Sequence, residues 1–557
     1  MSRTLFLYVF KDLLRIFLLT TGALAGIMSF GGLLRPLTEH GLDAAQVGKV
    51  LTYFLPAMMT YSLPISALFA TTVVYGRLAA DNELTACRAA GISYRSIAAP
   101  AAVLGLTVAL VSLLFLCFLV PNFSLKVERV VYSNLAQLVA NKIETTRQIR
   151  QGDHTIYAQS AVVRPPDPSR PREQVVTLNG VMIISYDKVA SSKTNMQVPG
   201  EFFLASSATV FIRRGGRADD EYTIEVLLDN GTMFPRSRAG KTQAGLRATR
   251  FGPVPIPSPI DEDTKFMDIR KLHALSKDPR GSQRVRIELT KIVREDQAGR
   301  YLQDVLAELN GRTGRYRFES ANGTLDETFE LSLGKGDDQK AWLHRGVLHA
   351  KGVKWNEELN GTLKSTSDVE QVEIKVRATP EGQMAVSAEL MGASTRSGEM
   401  LIGHQSLLRS FNVPMPPAVR AIGDRSVDHY LGAGQAATLA SGRVALLRQM
   451  LYLGNSIHSE MHSRASFAVS CLILVIVGCA LGMMFKSGNF LTAFAISVVP
   501  ALLCIALIVT GANVSNSVPW RLENFQNPLN TGIALIWSGN VAVLVMAVVL
   551  MWKLQRQ

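Results

Sequence analysis

Charge is scarcest where apolar residues are densest. Charged residues form 18% of the 557-residue chain and hydrophobic residues 48%, whereas soluble chains carry about 25% charged residues. The deficit lies in residues 1–120 and 465–552, and the middle has the composition of a soluble domain. Cysteine is also sparse, with five in all: Cys87, Cys117, Cys471, Cys479 and Cys504. None falls in the large middle region, which excludes a disulfide framework and a thiolate metal site there. The net charge is +13, yet no Lys/Arg run is interleaved with aromatics, so nucleic acid is not an expected partner. No Gly-x-Ser-x-Gly is present and no paired carboxylates sit in the apolar runs, so nothing marks an enzyme, and no cofactor is expected. Runs so free of ionisable groups also argue against a proton-coupled pump or an ion channel. A transporter driven from elsewhere is easier to reconcile with them.

Crossing a bilayer takes about 20 apolar residues per helix, because backbone polar groups must bond internally there. Six runs qualify: Ile16–Leu34, Val50–Gly76, Ser96–Val120, Ala465–Phe485, Phe490–Asn513 and Asn530–Trp552. Pro56 and Pro64 fall inside the second, where a membrane span tolerates kinks. Pro121-Asn122 is expected to end the third. The first run exceeds a signal-peptide core, and another follows closely, so it reads as a retained helix. Lys and Arg in the short loops set the orientation. Arg3, Lys11, Arg15, Arg77, Arg88, Arg95, Lys486, Lys553 and Arg556 fall on one side, against Arg35, Lys49 and Arg521 on the other, nine against three. Both termini are therefore expected in the cytoplasm, with residues 121–464 outside.

The middle opens and closes with helical spacing: Val127, Val130, Val131, Leu135, Leu138 and Val139, then Val444, Leu446, Leu447, Met450, Leu451 and Ile457. These predict amphipathic stalks. Between them, alternation and β-branched residues predict strands at Thr155–Val163, Val175–Ser185, Glu201–Arg213 and Glu221–Leu228, with turn signals at Pro166-Asp167-Pro168, Asn179-Gly180 and Asp229-Asn230-Gly231. A second group follows at Arg315–Ser320, Thr328–Leu333, Ala341–Leu348 and Val369–Arg377, after a helical stretch at Glu295–Asn310. The expected domains are thus residues 1–120 with a cytoplasmic loop at 77–95, an all-β region at 121–464 with lobes about 145–290 and 311–390, and residues 465–557. Residues 391–440, rich in Gly, Ser and Pro, read as a linker or small cap, and the two lobes share no evident sequence repeat.

Gly240-Lys241-Thr242 lacks the upstream Gly of a phosphate loop, since Pro235 stands there, and reads as an exposed turn. His458 and His462 share a helix face but not the His-Glu-x-x-His order, and polar residues at a membrane boundary explain them without a metal. The stretch Arg77–Ser93 is more informative. Asp81 and Glu83 favour a helix start and Gly91 a stop, giving a short helix able to meet a cytoplasmic partner or simply a solvated connection.

Gly76–Ser93 resembles the cytoplasmic loop of the LptF/LptG (YjgP/YjgQ) lipopolysaccharide-export permease family, of the form Gly-Arg-Leu…Ser-Glu-Ile/Met-Thr…Arg-Ala-Ala-Gly-Ile-Ser. Ser459-Glu460-Met461-His462-Ser463-Arg464 is similar to that family's Ala-Glu-Leu-His-Trp-Arg, and the three-plus-three layout matches. The resemblance implies an α-helical membrane protein of six spans with an inserted periplasmic jelly-roll-like domain, here extended by a second β lobe, in a bacterial inner membrane. It implies a permease that takes lipopolysaccharide or a related lipid to a periplasmic jelly-roll bridge protein. It pairs with a second permease subunit, or itself, and is driven by a cytoplasmic ABC ATPase dimer. Glu83, with Asp81 and Arg88 nearby, would couple to the ATPase. Arg35 and, less directly, Lys49 would meet the lipid headgroup, where a guanidinium can grip a phosphate. Two departures stand out: a longer middle region, and no Pro-rich pattern in the fourth span. The rival class is a membrane-anchored envelope scaffold or sensor without transport.

Overall fold

The computed structural model describes the chain except residues 1–2, 41–43, 133–134, 152–153, 166–172, 192–193, 215–221, 235–243, 257–262, 321–326, 335–339, 380–381, 398–399, 433–438, 485–489, 519–526 and 557. Helices α1 (Arg3–His40), α2 (Ala44–Ala80), α3 (Glu83–Ala89), α4 (Tyr94–Leu114), α5 (Val120–Tyr132) and α6 (Leu135–Thr146) come first. Seven strands follow: β1 (Gln148–Gln151), β2 (His154–Tyr157), β3 (Ser160–Arg164), β4 (Glu173–Ser191), β5 (Thr194–Arg214), β6 (Tyr222–Phe234) and β7 (Ala244–Ile256). A 3-10 turn at Thr264–Phe266 and α7 (Ile269–Lys277) lead to the long α8 (Gln283–Leu309). A second set follows, β8 (Arg315–Glu319), β9 (Glu327–Leu333), β10 (Ala341–His344), β11 (Val347–Leu359), β12 (Thr362–Ala378), β13 (Gln383–Ser397) and β14 (Met400–Pro414). The chain closes with α9 (Pro417–Arg420), α10 (Val427–Leu431), α11 (Ala440–Met484), α12 (Phe490–Ser515) and α13 (Leu529–Arg556).

Two compact units emerge, one of residues 1–134, 258–282 and 448–557, the other of residues 135–257 and 283–447. The first contains six helices long and apolar enough to cross a membrane among the described residues. Helices α2 and α11 are its most buried spans. They pack closely because Gly478 and Gly482 of α11 lie against the backbone of Leu68 and Thr72 in α2. Small residues let helix backbones approach where lipid offers no hydrophobic drive. The same device joins α12 to α13, where a Cβ on Gly532 would come within 2.5 Å of the Gly511 carbonyl.

The third span does not end at Pro121. A π turn at Phe115–Leu119 precedes it, and the Val120 N–H reaches back to the Phe115 carbonyl. One extra residue in the turn relieves the clash a proline imposes on its preceding turn, and the helix continues as α5. The stalk before the fourth span is likewise continuous with it, within the 45 residues of α11. Residues 258–282, expected within the first lobe, instead belong to the unit of the spans.

The second unit holds two seven-stranded antiparallel sheets, in the orders β1-β2-β4-β5-β6-β7 and β14-β13-β12-β11-β9-β8. Each is a plain meander with one peculiarity, and it is the same in both. In the first, β2 and β3 both pair with β4, on either side of Gly180. In the second, β9 and β10 both pair with β11, on either side of Gly352. Gly180 has φ +59° and Gly352 φ +61°, the left-handed region that glycine enters without a Cβ penalty. Each is skipped in the pairing of its strand with the next. The two sheets are therefore topological copies, each with a preceding helix packed on it, α6 on the first and α8 on the second.

Several local expectations change. Asn179-Gly180 and Asp229-Asn230-Gly231 do not turn the chain but lie inside β4 and β6. Ala341–Leu348 is two strands, because Arg345 and Gly346 both have positive φ, the requirement of a two-residue type I′ hairpin. Residues 391–414 are not linker. They complete β13 and form β14, and short helices begin only at Pro417.

The second sheet is filled. Trp355, Phe318, Phe329 and Phe411 are buried in one cluster with Leu331, Met384 and Leu390. The Phe329 and Phe411 rings stack at 4.1 Å. Tyr301, Leu302, Val305 and Leu309 of α8 complete this core, and β14 comes back beside β8. In the first sheet Val176, Leu178, Ile183, Phe203, Val210 and Ile212 are buried. There Arg213 bonds Glu173 at 2.6 Å and Glu225 at 2.8 Å.

Candidate functional site

The loop between α2 and α4 is built rigidly. Arg77, in the last turn of α2, pairs with Asp12 of α1. Asn82 takes a left-handed conformation, φ +59°, and opens α3. Leu84 is the buried residue of that helix, and holds it on the α2 end. At the far end the Gly91 N–H donates to the Arg88 carbonyl at 2.9 Å and the Ile92 N–H to the Cys87 carbonyl at 3.0 Å. Gly91 has φ +79°, so these bonds form a Schellman closure. Ser93 then caps α4 by accepting from the Ser96 N–H.

The exposed surface of this turn carries Asp81, Thr85, Arg88 and Ala89, with Glu83 half-buried. Arg88 is already engaged within the loop. Its Nη1 donates to the Tyr94 hydroxyl at 2.8 Å, and its guanidinium lies 4.7 Å from that ring centre. Asp81, Glu83 and Arg88 are thus brought together on one short turn. Arg35 and Lys49 lie near the C-terminal end of α1 and the N-terminal end of α2, and their side chains fall outside the described residues, as does the whole of Gly240-Lys241-Thr242.

A second cluster involves residues to which sequence reasoning gave no role. Arg464 of α11 is only 2% exposed. Its Nε donates to Glu460 at 2.9 Å. Its Nη2 donates to the carbonyls of Thr264 at 3.1 Å, Lys265 at 3.2 Å and Met267 at 2.8 Å. The Thr264 and Ser456 hydroxyls meet at 2.6 Å. A planar guanidinium suits such a fork, serving a carboxylate and several carbonyls at once. The segment after β7 is thereby fastened to α11. Its own start is fixed by Asp263 and Asp268, whose side chains accept from the N–H of Lys265 and Lys271. The signal in the sequence was a Glu and an Arg four apart at the edge of an apolar run, but partners about 200 residues away were not legible.

The other faces of this part of α11 hold α13. Trp537 Nε1 donates to His462 at 3.3 Å, and Asn540 donates to the Ser466 carbonyl and hydroxyl, both at 2.8 Å. His458 faces its own helix, 2.9 Å from the Gly454 carbonyl. The two histidines therefore serve different neighbours. Among the described residues no group of three or more metal-ligating side chains occurs.

Six long apolar helices, with β modules inserted between the third and fourth, define an integral membrane protein. Residues 7–286 match the family described as lipopolysaccharide export system permease LptF/LptG, and the chain belongs to that family. It is a transport subunit rather than an enzyme. The matched stretch runs from α1 into the first turn of α8, so it takes in the first sheet and ends before the second begins at Arg315. A search among curated proteins found no match.

Proposed function

We propose that this chain is the permease half of an exporter that lifts lipopolysaccharide, or a closely related envelope lipid, out of a bacterial inner membrane. Both termini face the cytoplasm and the two sheets face the periplasm. A cytoplasmic ABC ATPase dimer docks on α3, a second permease of the same family or a second copy faces this one, and a periplasmic jelly-roll bridge receives the lipid. Closure of the ATPase moves α3, and α2 carries the motion into the bundle. Extraction of a lipid costs about 0.8 kcal/mol for each CH₂ exposed, so a path lined by uncharged spans lowers the barrier. Arg35 and Lys49 take the phosphate of the headgroup.

The observation that carries this reading is the clamped α3 turn. It presents Asp81 and Glu83 beside a fixed Arg88, within the family-matched stretch. The test is copurification with a cytoplasmic ABC ATPase of the same source expressed together with it. Glu83→Lys is expected to abolish ATPase capture while the purified permease keeps its thermal unfolding profile. Capture at wild-type level by both Glu83→Lys and Glu83→Ala refutes the docking assignment. Arg35→Ala is expected to weaken lipid-stimulated hydrolysis without loss of assembly, and normal stimulation removes Arg35 from the lipid site.

A further inference from the structure

Beside the Arg464 fork lies a polar chamber of about 200 Å³. It is walled by Asp263, Thr264 and Lys265, by Ser459 and Glu460 of α11, and by Asn516 near the end of α12. Ser459 is 1% exposed, yet its hydroxyl has no hydrogen-bond partner. The Asn516 Oδ1 is likewise buried and unbonded. Buried polar atoms in folded proteins nearly always find partners. Two unmet ones on a single space point to a bound polar group.

The chemistry of the walls narrows what that group is. Asp263 and Glu460 set two carboxylates against the Lys265 ammonium, and Glu460 is itself paired with Arg464. A lone phosphate meets the carboxylates and a lone cation meets the Lys265 ammonium, so neither is favoured. The unmet atoms are a hydroxyl, which both donates and accepts, and an amide oxygen, which accepts. Groups that both donate and accept, as sugar hydroxyls do, satisfy both. At about 30 Å³ per water the space holds on the order of six or seven waters. It is smaller than the roughly 300 Å³ at which whole-ligand pockets begin.

We propose that this chamber binds one hydroxylated sugar ring of a glycolipid headgroup. The proposal rests on the export reading and assigns that substrate a sugar-recognition subsite. The test is native mass spectrometry of the full chain in mild detergent, with two probes of identical acyl chains, a glucosaminyl glycolipid and phosphatidic acid. Ser459→Ala and Asn516→Ala each remove one hydrogen-bonding group and are expected to weaken the glycolipid about tenfold, leaving phosphatidic acid unchanged. Ser459→Leu fills the chamber and is expected to abolish the difference between the probes. If the wild-type chain and all three variants bind glycolipid equally, the chamber holds only water and the inference falls while the export reading stands. If the variants weaken both probes equally, sugar recognition is refuted, because the change then acts on the bundle. If the wild-type chain binds no glycolipid, the export reading fails as well.

Discussion

Arg464→Met is the sharpest single perturbation this protein offers. Methionine keeps most of the side-chain volume and removes the guanidinium. Glu460 then loses the partner 2.9 Å away, with its side chain only 14% exposed. The carbonyls of Thr264, Lys265 and Met267 lose their common donor. Breaking a buried ion pair from one side costs about 3–5 kcal/mol. At about 1.4 kcal/mol per tenfold, the segment Asp263–Lys277 should detach from α11 on the order of 10²- to 10³-fold more often. Lys265, Arg270, Lys271 and Lys277 give trypsin its targets there, and cleavage that follows opening reports the open population. The expected result is cleavage in this segment at least 10²-fold faster, measured on the full chain in detergent. The double variant Glu460→Gln/Arg464→Met removes both charges and should regain at least tenfold of the protection, because an unpaired buried charge is the larger penalty. Cleavage of Arg464→Met within about threefold of wild type, or a double variant cut as fast as the single one, refutes the view that this fork fastens the segment.

Gly532→Ala should lower thermal stability in detergent by an amount equivalent to about 1–3 kcal/mol, because its Cβ would collide with the Gly511 carbonyl and Ser515. Gly26→Ala should be neutral in the same scan, since nothing lies within 4 Å of that Cβ. Gly91→Ala places a Cβ at φ +79° and should cost about 1–2 kcal/mol, seen as faster amide exchange at position 91 and at Ile92 with α11 unaffected. Trp355→Ala opens a cavity in the filled second sheet and should cost about 3–5 kcal/mol. Hydrogen exchange should rise across β8–β14 while Val176–Ile183 of the first sheet keeps its protection, and equal loss in both sheets would refute separate cores.

The sequence by itself determined the spans, because about 20 uncharged apolar residues admit few other environments. It also marked the short helix at Glu83 and its stop at Gly91, since those signals are local. Strand existence was legible in the alternation of β4, β5 and β12, but strand ends were not. Asn179-Gly180 and Asp229-Asn230-Gly231 carry turn chemistry and yet sit in mid-strand, because neighbouring strands on both sides hold β4 and β6 straight. The continuation past Pro121 depended on a π turn, which no residue pattern announced. Only the tertiary structure revealed that the two sheets are copies. Their likeness lies in which strands pair around Gly180 and Gly352, and pairing is a relation between distant segments that side-chain identities need not repeat. Only it brought Arg464 to carbonyls about 200 residues earlier in the chain. A guanidinium beside an apolar run is legible as a charge needing partners, but which backbone supplies them is fixed by where the folded chain returns.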